Sequence, residues 1–221
     1  MPVRKIPPNY RNVTGRVSSR KAFGGAAAFE STLERDLYRR LDFNPLVERF
    51  EEQPVCIEYV ADGRTRTYTP DVAIAFVDGR PPYLVEVKYE EDLREQWPAL
   101  KPKIQAAAQY AKHNGQRFKL LTERKIRTPF LDNALFLGRY RDYSPSAENR
   151  RRLLDTVESL GSVTVSALLD RVSQTQEEHL ALMPVAWHLV ATGQVDVDLD
   201  SPVKMQSVVT YPASGRAGKW Y

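Results

Sequence analysis

Cysteine is almost missing from this 221-residue chain: Cys56 stands alone, so no internal disulfide can form and a cysteine-based zinc site is excluded. Long apolar runs are missing too. No stretch approaches the roughly 20 apolar residues that span a bilayer, and the opening Met1-Pro2-Val3-Arg4-Lys5 lacks the hydrophobic segment of a signal peptide. The expectation is a soluble, cytoplasmic protein. Histidine is scarce, and His113, His179 and His188 are too dispersed along the chain to suggest a shared metal site. No nucleophile motif for Ser-His-Asp chemistry is present. What remains, 42% hydrophobic and 27% charged residues, is enough for one or two globular cores.

The net charge of +4 is unevenly spread. Residues 1–21 carry Arg4, Lys5, Arg11, Arg16, Arg20 and Lys21 and no acid, residues 22–145 balance at 19 basic against 19 acidic, and residues 146–221 hold 7 against 9. Interleaved prolines and glycines (Pro2, Pro7, Pro8, Gly15, Gly24, Gly25) predict a basic flexible arm over residues 1–24. Such an arm can follow a phosphate backbone or simply be a solvated tail.

Leu33, Leu37 and Leu41 recur at i, i+4 and i+8, which predicts a one-faced helix between Phe29 and Leu41. Strand-like segments follow at 46–50, 55–60, 66–76 and 83–89, punctuated by Ala61-Asp62-Gly63 and by Asp78-Gly79-Arg80-Pro81-Pro82. Trp97, Leu100, Ile104, Ala107, Ala108 and Ala111 mark a second helix that stops near His113-Asn114-Gly115, and Phe118–Leu121 reads as a further strand. A helix between two strands predicts a parallel return, so the fold class is α/β, a mixed sheet flanked by helices. Tyr143-Ser144-Pro145-Ser146 reads as a linker, giving one domain over 25–143 and a second over 144–221. In the second, helical patterns from Arg150, at Val165–Val172 and at Glu177–Thr192 precede a β-ribbon at 194–198 and 205–211, a winged-helix-like order with Leu180, Met183 and Trp187 in its core. Arg150-Arg151-Arg152 is either a phosphate or partner contact or a solvated helix face.

One constellation carries chemistry. Pro70-Asp71 opens one strand and Glu86-Val87-Lys88 lies inside the next. Strand side chains alternate, so Glu86 and Lys88 share a face about 7 Å apart along the backbone, and a hairpin can bring Asp71 beside them. Hydrolysing a phosphodiester calls for hard cations held by carboxylate oxygens, often two ions roughly 4 Å apart. Asp71 and Glu86 suit that task, the Val87 carbonyl can complete the coordination, and Lys88 can orient the attacking water or stabilise developing charge. A surface Glu–Lys pair is the plain alternative, but Glu86 and Lys88 sit among Leu84, Val85 and Val87, where unpaired charges are costly to bury. Glu34, with Glu30 as substitute, is open between the same site and a capping box in Ser31-Thr32-Leu33-Glu34.

Ser31-Thr32-Leu33-Glu34, Phe43-Asn44-Pro45-Leu46-Val47, Gln53-Pro54, Tyr68-Thr69-Pro70-Asp71, Glu86-Val87-Lys88 and Leu121-Thr122-Glu123 together resemble the TnsA endonuclease subunit of heteromeric cut-and-paste transposases. That family belongs to the PD-(D/E)xK nucleases. The resemblance implies a restriction-endonuclease-like fold with a small C-terminal winged-helix-like domain. It implies hydrolysis of the 5′ strand at transposon ends, beside a DDE recombinase (TnsB-like) and under an AAA+ ATPase (TnsC-like). Carried onto this chain, Glu34, Asp71, Glu86 and Lys88 are the catalytic residues. Asp71, Glu86, Val87 and Glu34 would hold Mg²⁺, with Mn²⁺ able to substitute. Gln53 is expected near the site, on DNA or as a supporting hydrogen bond, and Arg4, Lys5, Arg11, Arg16, Arg20 and Lys21 are expected on DNA. Two rival readings stay open: a stand-alone restriction or repair endonuclease of the same fold, and a catalytically inert, DNA-bound assembly subunit.

Overall fold

The computed structural model describes residues 13–212, and the chain divides into two units between Arg127 and Thr128. In the first, β3 (Val47–Glu52), β6 (Val72–Phe76), β7 (Tyr83–Val87) and β8 (Arg117–Leu121) form one sheet in the order β3-β6-β7-β8. The first two pairings are antiparallel and β7–β8 is parallel, the return required by the intervening helix α2 (Glu90–His113). Helix α1 (Thr32–Phe43) packs one face of the sheet through Leu33, Leu37, Tyr38 and Leu41, against Phe50, Ile74 and Val85. The opposite face is covered by α2, where Ala107 and Ala111 meet Leu84, Ile57 and Tyr68. Strand β7 is therefore buried at all five positions, which forces Glu86 into the interior.

The single strand expected over 66–76 is two elements. β4 (Ile57–Ala61) and β5 (Arg64–Tyr68) form a separate hairpin, and β6 begins only after Thr69-Pro70-Asp71. Pro70 has no N–H for a ladder, so the chain breaks there and Asp71 lands at the mouth of β6. The hairpin turn uses Asp62 and Gly63 at φ 52° and 69°, the paired positive angles of a tight two-residue loop.

The expectation of an unstructured arm to residue 24 fails within the described residues. β1 (Gly15–Ser18) pairs antiparallel with β2 (Ala26–Phe29), Gly15 opposite Phe29. Glycines that read as looseness serve geometry: a Cβ on Gly15 would stand 2.7 Å from the Phe29 ring, and Gly24 and Gly25 take φ of 75° and 82° in the turn between the strands. Arg4, Lys5 and Arg11 lie outside the described residues. Arg16 and Arg20 are exposed, but Lys21 is only half-exposed and its ammonium donates to the Asn44 carbonyl at the end of α1. Lys21 is thus tied into the fold rather than held out toward DNA.

The second unit holds α4 (Pro129–Gly138), α5 (Ala147–Leu160), β9 (Ser162–Thr164), α6 (Val165–Val172), α7 (Gln176–Ala191), β10 (Asp196–Val197) and β11 (Val208–Thr210). Its strands form an antiparallel sheet in the order β10-β11-β9. The unit starts some 15 residues before the expected linker, because α4 belongs to it: Phe136 meets Trp187 edge-to-face at 5.2 Å, and buried Asn133 donates to the carbonyls of Leu199 and Ser201 and accepts from the Val203 amide. Asn133→Ala strands three backbone groups and is expected to cost about 2–3 kcal/mol, seen as a lower urea midpoint for the full chain with an unchanged slope. Trp187 is core as expected, whereas Leu180, two turns nearer the start of α7, is 57% exposed. The three arginines opening α5 are engaged locally, Arg150 with Gln194, Arg151 with Asp155 and Arg152 with Glu178.

No helix among the described residues is long and apolar enough to cross a membrane.

Candidate active site

The C-terminal end of β7 gathers the chemistry because that strand emerges between α1 and α2 just where Asp71 enters the sheet. The Val87 amide donates to Asp71 Oδ2 at 2.6 Å, and the Asp71 carbonyl accepts from the Gln53 amide at 2.9 Å. Glu86 is 1% exposed. Its Oε1 takes Lys88 Nζ at 3.1 Å and Lys103 Nζ at 3.4 Å, and its Oε2 takes the Tyr68 hydroxyl at 2.5 Å. Lys88 also donates to the Val87 carbonyl at 3.1 Å. The Glu86–Lys88 pair is therefore an interior feature and not a solvated strand decoration.

Glu34 caps its own helix. Its amide donates to Ser31 Oγ at 3.1 Å, while its carboxylate accepts from the Ser31 hydroxyl at 2.7 Å and from the Glu30 amide, one residue before the N-cap, at 3.0 Å, a variant of the capping box. The same carboxylate stands close enough to Asp71 and Lys88 for their charges to act on one another.

Electrostatics describe a site with a surplus of acid. Burial first, then the Glu86 charge, pushes the Asp71 carboxyl well above its ordinary range, with Lys88 pulling the other way. Burial likewise raises Glu34 despite its two hydrogen bonds. For Lys88, burial lowers the ammonium, but Asp71 and Glu86 more than offset that and the net shift is upward. Tyr38, stacked on Phe50 at 5.6 Å, has its hydroxyl raised by burial and then by Glu34, Asp71, Glu52 and Glu30. Four carboxylates thus bear on one buried phenol.

A family model described as TnsA-like endonuclease N terminal matches residues 44–123. This segment is similar to a TnsA-type endonuclease domain. The match includes Asp71, Glu86, Val87 and Lys88, while Glu34 precedes it. No curated protein matches the chain. The mixed α/β architecture agrees with a restriction-endonuclease-like fold.

Among the described residues of this TnsA-like chain, no three Asp, Glu, His or Cys side chains are grouped so as to hold a metal ion as they stand. Each acid instead leans on a protein partner: Asp71 on the Val87 amide, Glu86 on two lysines and a tyrosine, and Glu34 on its own helix cap. The donor chemistry nonetheless fits a hard cation, since Asp71, Glu86, Glu34 and the Val87 carbonyl offer only oxygen and the raised carboxyls mark charge that a cation would relieve.

Gln53 is 7% exposed, so its expected DNA contact gives way to a supporting position. It takes φ 46° at the end of β3, where its backbone N–H, not its side chain, bonds the Asp71 carbonyl, and its side-chain Oε1 is buried without a hydrogen-bond partner among the described residues, the setting of a turn residue. Lys103 lies in no motif, and Tyr68, although it heads the run Tyr68-Thr69-Pro70-Asp71, carries nothing there that announces its bond to Glu86. The available signal was Lys103 falling on the inward stripe of α2 with Leu100 and Ala107, where a lysine needs a buried partner.

Proposed function

We propose that this chain is a Mg²⁺-dependent DNA endonuclease subunit of a heteromeric transposase, hydrolysing the 5′ strand at each transposon end. A DDE recombinase (TnsB-like) cuts and joins the 3′ strand, and an AAA+ ATPase (TnsC-like) governs the pair. The observation that carries this reading is the burial of Glu86 with Lys88 on its carboxylate, one hydrogen bond away from Asp71 through the Val87 amide.

Asp71, Glu86, Glu34 and the Val87 carbonyl would hold Mg²⁺, which when bound supplies an activated water and charge neutralisation at the phosphate. Lys88 holds that water or the developing charge, by exchanging its contact with Glu86 for one with the scissile group. Glu34 can join without unfolding α1, because a cap contributes about 0.5–2 kcal/mol whereas each buried leucine of that helix contributes roughly 1.5–3 kcal/mol. The order helix, strand, two helices and two strands from α5 to β11 supports a winged-helix-like second unit, and the acidic balance of residues 146–221 supports protein rather than DNA as its contact. Arg16, Arg20 and the arginines and lysine of residues 1–12 remain the proposed DNA contacts.

In a transposition assay with all partners present, Asp71→Ala is expected to leave 3′ joining intact and convert simple insertions into cointegrates. Unchanged products would identify an inert assembly subunit. Site-defined cleavage by the purified chain without partners would identify a stand-alone endonuclease.

A further inference from the structure

Glu86 is held by two residues outside the acid-and-lysine motif, and they come from different elements. Tyr68 closes β5 at the rim of the hairpin, and Lys103 reaches in from α2 with its ammonium 4.9 Å from the centre of the Tyr68 ring. Both converge on one carboxylate, Tyr68 on Oε2 and Lys103 on Oε1, the oxygen that also receives Lys88. Lys88 is shared, since Asp71 and Glu34 act on it as well as Glu86, whereas the ion pair of Lys103 is with Glu86 alone. That division of labour acquires a purpose if Lys88 must leave Glu86 during the reaction.

We infer that Tyr68 and Lys103 are positioning residues that hold Glu86 in place, so that Lys88 can leave it for the scissile phosphate or the attacking water. This rests on the nuclease reading above. Tyr68 fixes the plane of the carboxylate by a short hydrogen bond inside the fold, where rotation would leave both partners unsatisfied. Lys103 supplies the charge that Glu86 requires once Lys88 departs. Without it, Lys88 is the only ammonium left on a buried carboxylate, and its departure is opposed more strongly. The two residues therefore have separable effects. Loss of the tyrosine hydroxyl loosens the aim of a metal ligand, a change that typically weakens metal affinity 10–100-fold. Loss of Lys103 removes a positive charge from beside a cation site, which favours cation binding and opposes any loss of aim, so its effect falls on rate.

The test uses the full chain with Mn²⁺ as the probe, following the free-ion signal by electron paramagnetic resonance, and strand cleavage with the recombinase present. Wild type is expected to bind Mn²⁺ and Glu86→Ala to lose it. Tyr68→Phe should bind about tenfold more weakly. Lys103→Met should bind within about threefold of wild type, cleave at least about tenfold more slowly with DNA affinity unchanged, and recover most of that rate as Lys103→Arg. Tyr68→Phe binding like wild type, Lys103→Met cleaving like wild type, or Lys103→Arg failing to recover would each overturn the inference while leaving the nuclease reading standing. No Mn²⁺ binding by wild type, or none lost in Glu86→Ala, would overturn both. Should Tyr68→Phe melt far below wild type, the Lys103→Met and Lys103→Arg pair decides, since Met keeps an unbranched side chain of similar length at that position.

Discussion

Asp71→Asn is expected to raise the stability of the metal-free protein while reducing strand cleavage by at least about a thousandfold. The two effects share one cause. Asp71 is enclosed beside Glu86 and Glu34, and its carboxyl lies well above the ordinary range because the charged form is disfavoured there. Asparagine keeps an oxygen for the Val87 amide and removes the charge, so on the order of 1–2 kcal/mol of stability is recovered, read as a higher midpoint in urea. The pH dependence follows with a definite sign. An acid raised in the folded state holds its proton to higher pH there than in the unfolded chain, so stability is full below the unfolded carboxylate value near 4 and declines as pH rises through the folded value. Wild type without metal should lose stability along that rise, Asp71→Asn should show a shallower loss, and saturating Mg²⁺ should restore wild type alone. A steeper loss in the variant would contradict the account.

Lys88→Ala is expected to abolish one strand cut and leave the other untouched. Its ammonium sits between Glu86 Oε1 and the Val87 carbonyl, and it is held protonated by the acids around it, with Asp71 and Glu86 outweighing the pull of burial. A protonated ammonium at that position is placed to stabilise charge developing at the phosphate or to hold the attacking water. Removing one such donor from an enclosed site costs on the order of 10²–10³ in rate. The deletion also leaves Glu86 with Lys103 and Tyr68, both still in place, so the fold should survive the loss. Alanine at Lys88 and methionine at Lys103 therefore differ in kind: the first removes the acting group, and the second restrains it.

How far such a site can be read from residues alone depends on whether the chemistry is local. Glu86 and Lys88 were legible because two charges within Leu84-Val85-Glu86-Val87-Lys88 can share a strand face only if something satisfies them. The helix α1, the parallel return into β8 and the helices α6 and α7 were legible from apolar spacing. The break at Pro70 was available in the missing N–H but was masked by the apolar run that follows it. Strand β1 was hidden because Gly15 looks like a flexible residue, although its missing side chain is what lets Phe29 approach. The division at Arg127 was out of reach, since Asn133 and Phe136 find their partners some 50 to 70 residues downstream. Tyr68 and Lys103 belong to the same class. They meet Glu86 across 18 and 17 residues of sequence, and no motif spacing announces that contact.

The most direct trial of the central claim is a strand-resolved cleavage assay on a transposon end labelled at both 5′ and 3′ junctions, with this chain and the proposed recombinase partner reconstituted. With Mg²⁺, wild type should cut both strands. Chelation of the metal should stop cleavage, and Lys88→Ala should lose the 5′ cut while the 3′ cut persists. A 5′ cut that persists at the wild-type rate in Lys88→Ala, or one that is indifferent to metal, would contradict the account.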